Sequence, residues 1–244
     1  MSSSVAVIIP ARLQSVRLPR KLLLAETGKP LIQHTYENAC RAAVPDEVII
    51  AADSEEILDA VRPFGSKAVL TSGDHCSGTD RIAEVAENHS AGIIVNVQGD
   101  EPEIAPEIID MVARALIDDP SLPMATAATP LEDSRITDPS CVKVVRDRNL
   151  NALFFSRAPI PFKRDSDSDY SSRPLLHLGI YSYRRDFLLA ITSLESSPLE
   201  VTEKLEQLRV LENGHTIKVL DTEYSVPGID TEQDYKDFVS RYSA

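Results

Sequence analysis

A chain of 244 residues with 43% hydrophobic content can bury a full core, as one large α/β domain or two small ones. Its formal net charge of -13 argues against binding nucleic acid or an anionic membrane through the general surface. Cys40, Cys76 and Cys141 are odd in number and far apart, so no zinc knuckle or disulfide framework is implied. Reduced thiols in a cytoplasmic protein are the expectation. The opening Met1-Ser2-Ser3-Ser4 lacks the basic and apolar runs of a signal peptide, and no segment reaches membrane-spanning length.

Residues 5–9, VAVII, are an unbroken apolar run, which predicts a short strand buried on both faces inside a parallel sheet. Pro10 cannot donate to a ladder, so the strand is expected to stop there. The loop beyond carries Arg12, Arg17, Arg20 and Lys21, with no acidic residue before Glu26. In an open α/β sheet this loop lies where ligands bind, and a basic loop there suits an anion such as a phosphate chain. A solvated basic surface loop is the plain alternative. Neither GxxxxGK[ST] nor GxGxxG occurs, so side chains must do the gripping.

Helical spacing follows over residues 31–43, then a strand at 47–52 and a helix capped by Asp53-Ser54 that ends at Pro63 and Gly65. A third strand is predicted near 68–70. Strand alternating with helix is the pattern of a doubly wound, mostly parallel sheet. Residues 71–81 form a loop entering a helix at 82–88; its small residues with Asp80 and Arg81 could line a nucleoside pocket or make an ordinary capped turn. His75 reads as a polar loop residue, since no second metal ligand lies at useful spacing.

Residues 92–100, GIIVNVQGD, predict a fourth strand that delivers Asp100 to its carboxyl end, with Gly99 allowing close backbone approach. A carboxylate there suits a magnesium ligand completed by substrate phosphate; a simple turn residue is the other reading. A helix at 106–118 precedes strands at 124–129, 142–146 and 151–156. The acidic stretch 165–169 is DSDSD, but Tyr170 and Leu176 stand where an EF-hand loop needs Gly and Glu, so a solvated loop is expected. A strand is predicted to begin at His177, a short helix at 187–194, and one long helix over 198–213 capped by Gly214, leaving Glu206 and Gln207 as solvated polar positions. A strand at 215–220 and a last helix, with Thr231 and Asp234 spaced as a variant capping box, complete the chain. Asp230 precedes that cap and is free to point elsewhere. With no internal repeat or linker, residues 1–244 read as a single domain, with 131–183 as a more antiparallel insertion.

Several of these stretches resemble the 3-deoxy-manno-octulosonate (Kdo) cytidylyltransferases. They are IIPARxxSxRLPxK, VNVQGDEP, FFSRAPIP, HLGIY, SPLExxExLEQLRxL and the terminal GIDTxxD, in the same order across nearly the whole chain. The first motif alone is shared with CMP-sialic acid synthetases; the combination is specific. The resemblance implies a nucleotide-diphospho-sugar transferase-like α/β fold and a reaction of CTP with Kdo giving CMP-Kdo and pyrophosphate, for lipopolysaccharide biosynthesis, with Mg2+. By the same resemblance Arg12 and Lys21 hold the triphosphate, and Asp100 and Asp230 hold magnesium. Pro10, Ala11, Ser77, Gly78, Arg81 and Gln98 surround the nucleotide, and Arg157, His177, Glu206 and Gln207 hold the acid sugar. Residues 131–183 are implied to pair two subunits of a homodimer.

Two positions depart from the pattern: Arg20 stands where relatives often have Gly, and Glu232 where they often have Pro. A related acid sugar, such as an 8-amino or sialic acid type, is the alternative substrate. A glycosyltransferase of similar fold would need a DxD on the strand that here ends Asp100-Glu101-Pro102, and a nucleotide-sensing domain would not need both carboxylates.

Overall fold

The computed structural model describes residues 4–75, 77–164, 173–224 and 228–242. Its strands are β1 (Val5–Ala11), β2 (Glu47–Ala52), β3 (Lys67–Leu70), β4 (Ile93–Asn96), β5 (Met124–Pro130), β6 (Lys143–Arg146), β7 (Ala152–Ser156), β8 (Leu175–Arg184) and β9 (Lys218–Asp221). Its helices are α1 (Leu31–Ala39), α2 (Glu55–Val61), α3 (Gly78–Glu87), α4 (Pro106–Asp118), α5 (Arg185–Thr192), α6 (Pro198–Glu203), α7 (Gln207–Glu212) and α8 (Glu232–Tyr242). The strands form one sheet in the order β3-β2-β1-β4-β8-β5-β9, with β6 pairing β8 and β7 pairing β6. The first four strands are mutually parallel and β5 is parallel to β9, while β8 runs against both β4 and β5. The α/β class and mostly parallel sheet are therefore as expected.

From β1 the chain winds outward to β2 and β3, then returns to lay β4 on the other side of β1. The carboxyl ends of β1 and β4 therefore diverge at a topological switch point, which opens a crevice. All seven residues of β1 are buried, as a central strand covered on both faces requires. Alternate residues feed opposite faces. Val5, Val7 and Ile9 pack with Ile32, Ile57 and Ile108, whereas Ala6 and Ile8 pack with Ile82, Val85 and Leu188. Each fully buried Ile or Val here contributes roughly 1.5–3 kcal/mol of hydrophobic stabilisation.

Four expectations are corrected. β1 continues through Pro10 to Ala11, because the Asp53 amide donates to Ala11 O and turns that residue towards β2. By alternation Pro10 faces the side that β4 has already left, so its missing N–H breaks no bond. β4 stops at Asn96, so Gln98-Gly99-Asp100 is a loop. α1 ends at Ala39 because both carboxylate oxygens of Asp110 accept from the Ala43 and Val44 amides and pull the chain off the helix axis. The long helix over 198–213 is two short ones, broken at Lys204, which is left-handed at φ 56°.

The last strand is β9, displaced towards Asp221, and β8 begins two residues before His177. The acidic stretch 165–169 lies outside the described residues. Thr231 and Asp234 do form the reciprocal cap of α8: the Asp234 carboxylate accepts from the Thr231 amide at 2.8 Å, and the Asp234 amide donates to the Thr231 hydroxyl at 3.2 Å.

Candidate active site

Two adjoining hollows of about 550 and 480 Å³ share Arg12, Arg17, Gly78 and Gln98 on their walls, making one cleft over the carboxyl ends of β1 and β4. The loop after β1 is fixed at its root by a residue on β2's exit: both carboxylate oxygens of Asp53 accept from the Leu13 amide, at 3.0 and 3.1 Å. The sequence predicts Asp53 with Ser54 as a helix cap, but Ser54 alone caps α2, accepting from the Ile57 amide. Loop and helix thus share the dipeptide.

Where β4's exit meets this loop, backbone lies against backbone. A Cβ on Gly99 would stand 2.9 Å from Pro10 O and 3.2 Å from Ile32 Cδ1, so no side chain fits. The Thr35 hydroxyl on α1 donates to Gly99 O at 2.9 Å, holding the turn that sets Asp100. The Lys21 ammonium reaches Asp100 Oδ2 at 2.5 Å and Asp230 Oδ1 at 3.3 Å, and Arg17 reaches Asp230 at 2.8 Å. Carboxylates 130 positions apart (230 − 100) thus converge on one cation. Burial, with Asp100 and Asp230 adding, pushes the neighbouring Glu101 carboxyl up to about 8, so it adds little negative charge to this rim near neutrality.

Among the described residues no group of three or more His, Cys, Asp or Glu side chains forms a metal cage. Two carboxylate oxygen donors aimed at one cationic position do fit a hard divalent ion that keeps waters and takes substrate phosphates as its other ligands.

The cleft's far wall is built from α3, β8 and the α6–α7 break. The Ser77 hydroxyl caps α3 by accepting from the Asp80 amide, which leaves Gly78, Thr79 and Asp80 on the cleft surface. A Cβ on Gly78 would meet Pro10 Cγ at 3.4 Å, ordinary contact distance. Thr79 donates to Glu206 Oε2 at 2.5 Å and so ties the start of α3 to the break between α6 and α7. The surrounding protein raises the Glu206 carboxyl's pKa, against the Thr79 bond, although Glu206 stays exposed at the cleft mouth. Gln207 is 5% exposed, lines the cleft, and has no partner for Nε2 among the described residues. An unpaired buried donor of that kind is costly unless a ligand accepts from it.

Arg157 also lines this wall, but three of its N–H groups serve backbone carbonyls: Nε to Glu203 O at 2.8 Å, and the two Nη to Pro139 O and Lys204 O. The Lys204 reversal explains why the two polar residues expected on a solvated helix face belong to the cleft instead. After the turn, α7 starts afresh with Gln207 inward.

Three of the expected residues stand elsewhere, the first being Ala11, which is 0% exposed at the end of β1 and lines neither hollow. Arg81 is 1% exposed and absent from the cleft walls, donating from Nη1 to Thr71 Oγ1 at 2.5 Å and Ser72 O at 2.9 Å. It braces the loop that leads to Ser77. His177 is absent from the cleft walls; burial drives its pKa down to about 3, so it is neutral. Thr126 Oγ1 lies 2.7 Å from Ile180 O and 3.2 Å from Leu178 O, and shares a hydrogen bond with His177 Nε2 at 3.1 Å. This pair sits at the bulge where β8 inserts Gly179 and Ile180 opposite the Thr126–Ala127 step. The bulge presents Gly179 and Tyr181 to the cleft.

Sequence reasoning also missed Asn96, Tyr181, Tyr183 and Arg209 on the walls. Asn96, a buried polar residue ending an apolar strand, was the available signal for the first; the others carry none beyond their neighbours.

A family model described as Cytidylyltransferase matches residues 6–217. A 3-deoxy-manno-octulosonate cytidylyltransferase from Pelobacter propionicus is 52% identical over 220 residues, covering 86% of each chain. One from Rhodopirellula baltica is 48% identical over 242 residues, covering 96% of this chain and 97% of its own. Among solved structures, a CMP:2-keto-3-deoxy-manno-octonic acid synthetase complexed with CTP superposes at TM-score 0.94 with 41% identity, over 99% of both chains. A 4-diphosphocytidyl-2C-methyl-D-erythritol synthase from Anaerococcus prevotii, at TM-score 0.65 and 16% identity, shares the fold. The chain therefore belongs to the 3-deoxy-manno-octulosonate cytidylyltransferase family.

Proposed function

We propose that this enzyme activates Kdo with CTP, giving CMP-Kdo and pyrophosphate, the activated sugar of lipopolysaccharide assembly. One observation carries the reading in geometric terms: a single cleft at the β1/β4 switch point has a cationic, two-carboxylate end and a polar end at the α6–α7 break. The sugar hydroxyl oxygen attacks the α-phosphorus in line. An O–P bond forms, the bond to the bridging oxygen of pyrophosphate breaks, and the hydroxyl proton is lost. Such a transfer needs positioning and charge stabilisation more than covalent help.

Arg12, Arg17 and Lys21 neutralise the triphosphate from the β1 side, and Ser77 and Gly78 with Gln98 bound the nucleoside. Asp100 and Asp230 would hold magnesium, which when bound draws charge from the phosphate oxygens. Lys21, between these carboxylates, is then free to turn to phosphate. On the sugar side, the two N–H bonds that Arg157 does not give to carbonyls, one on each Nη, can meet the sugar carboxylate as a fork. Gln207 Nε2 supplies a donor and Glu206 an acceptor for hydroxyls. His177 contributes by holding the bulge that carries Tyr181. A homodimer formed through residues 131–183 and a cytoplasmic setting complete the proposal.

A pyrophosphate-release screen of acid sugars against the four nucleoside triphosphates tests it. Release should require CTP and Kdo together. Release with CTP alone, or preference for a sialic acid, would replace the reading.

A further inference from the structure

Lys143, on β6, is fully buried at 0% exposure, and its ammonium touches no carboxylate at ion-pair distance among the described residues. Its three protons go instead to three backbone carbonyls: Asp138 O at 3.0 Å, Cys141 O at 2.6 Å and Arg157 O at 2.5 Å. Burying an ammonium costs several kcal/mol even after relaxation. Two loops can be joined by neutral groups without that cost. What this lysine joins is the main chain of Arg157 to the 138–141 turn, whose Pro139 O in turn accepts from the Arg157 side chain at 2.9 Å.

Glu203 grips the same residue from the other side. One carboxylate oxygen accepts from the Arg157 amide at 3.0 Å and the other from the Ser156 hydroxyl at 2.6 Å. Glu203 O also accepts from Arg157 Nε at 2.8 Å. Although burial works to raise the Glu203 pKa, these hydrogen bonds hold it below the ordinary value, so the carboxylate stays charged. Glu203 is the last residue of α6, immediately before the Lys204 reversal that presents Glu206 and Gln207. Arg157 is therefore fixed at backbone amide, backbone carbonyl and guanidinium at once, by one buried cation and one half-buried acidic residue, neither of which lines the cleft.

We infer that Lys143 and Glu203 are positioning residues, a clamp that holds Arg157 and the α6–α7 break in register for the carboxylate of the acid sugar. The inference rests on Arg157 meeting that carboxylate, and it adds two residues that act only through it. A clamp of this kind affects the sugar more than the nucleotide, whose triphosphate end of the cleft is built on the exits of β1 and β4.

The test is initial-rate kinetics of the full chain with Kdo varied at saturating CTP, and the reverse, for Lys143→Met, Glu203→Gln and Arg157→Ala. CTP binding by calorimetry counts folded sites. Lys143→Met keeps the stem and removes the donors. Glu203→Gln changes no heavy-atom count, removes the charge and sets an amide donor against one of the Ser156 and Arg157 donors. Both should raise the Kdo KM at least tenfold while the CTP KM stays within twofold. Should Lys143→Met not fold, Glu203→Gln decides alone. An unchanged Kdo KM in Glu203→Gln, or loss of CTP binding in both clamp variants, overturns the inference. If Arg157→Ala raises the Kdo KM and the clamp variants do not, only the clamp falls; if Arg157→Ala leaves it unchanged, the sugar-side assignment falls and the clamp with it.

Discussion

The ammonium of Lys21 lies 2.5 Å from Asp100 Oδ2 and occupies the centre of the acidic rim, with Asp230 completing the contact at 3.3 Å. Without nucleotide, Lys21 thus cancels the repulsion between two carboxylates 130 positions apart in the chain. With its side chain 10% exposed, Lys21 is well shielded, whereas Asp100 and Asp230 are 31% and 45% exposed and partly screened by water.

Replacing either aspartate by Asn should therefore separate two effects. Each change should cut turnover by about 100-fold and raise the magnesium requirement, since each removes one charge from a shared site. The two losses should not add. In metal-free protein, Asp100→Asn should cost about 1 kcal/mol of stability by taking the nearer partner from Lys21, and Asp230→Asn much less. Magnesium titrations and urea unfolding of both single variants and the double check this; full activity of Asp230→Asn at low magnesium would remove that residue from the site.

Gly99→Ala would place a methyl group 2.9 Å from Pro10 O, where neither backbone can yield easily. Destabilisation of about 1–3 kcal/mol is expected. Because Asp100 is the next residue, turnover should fall more than CTP affinity does. Unfolding and kinetics of this variant matching the parent protein would mean the two strand exits are less tightly seated.

Arg20→Gly should be nearly silent. Arg20 is left-handed at φ 56°, a conformation that favours glycine, and its guanidinium pairs with Glu56 on α2 and not with the cleft. Relief of strain, loss of an exposed ion pair and added unfolded-state freedom should cancel to within about 0.5 kcal/mol. A rise of more than twofold in the CTP KM would show that Arg20 reaches the triphosphate.

The neutral His177 gives a pH signature. The unfolded chain protonates this residue near 6.5, but the folded chain resists until about 3. The unfolded state therefore binds more protons between those values. The stability involved is fully present above about 6.5 and declines as pH falls towards 3, by at most about 1.4 kcal/mol per pH unit. His177→Gln should remove that part of the slope between pH 7 and 5 in urea unfolding. Identical slopes in both proteins would place the acid sensitivity elsewhere.

How much of this was legible in the sequence depended on whether a signal was local. The β1 run, the Ser54 cap and the Thr231–Asp234 box rest on adjacent residues and were readable. The break at Lys204 was not, because residues 198–213 keep helical spacing of apolar side chains on both sides of it, and what stabilises the reversal is Arg157, over forty positions away. Asp53 looked like a cap because caps and loop anchors use the same residue type. His177 falls within a motif of the family and Arg81 is expected through the resemblance, yet a family likeness marks proximity to the site without saying which side chain points into it. Asp100 and Asp230 could be joined only through the resemblance, since nothing between them in the chain announces that α8 returns to the β4 rim.

The most direct measurement of the central claim is product formation under one set of conditions: the full chain with CTP, Kdo and magnesium, analysed by mass spectrometry and phosphorus NMR. Equimolar CMP-Kdo and pyrophosphate, formed by the parent protein and reduced about 100-fold in Asp100→Asn, is the expected result. Pyrophosphate without a sugar adduct, or an adduct formed equally well from UTP, would contradict it.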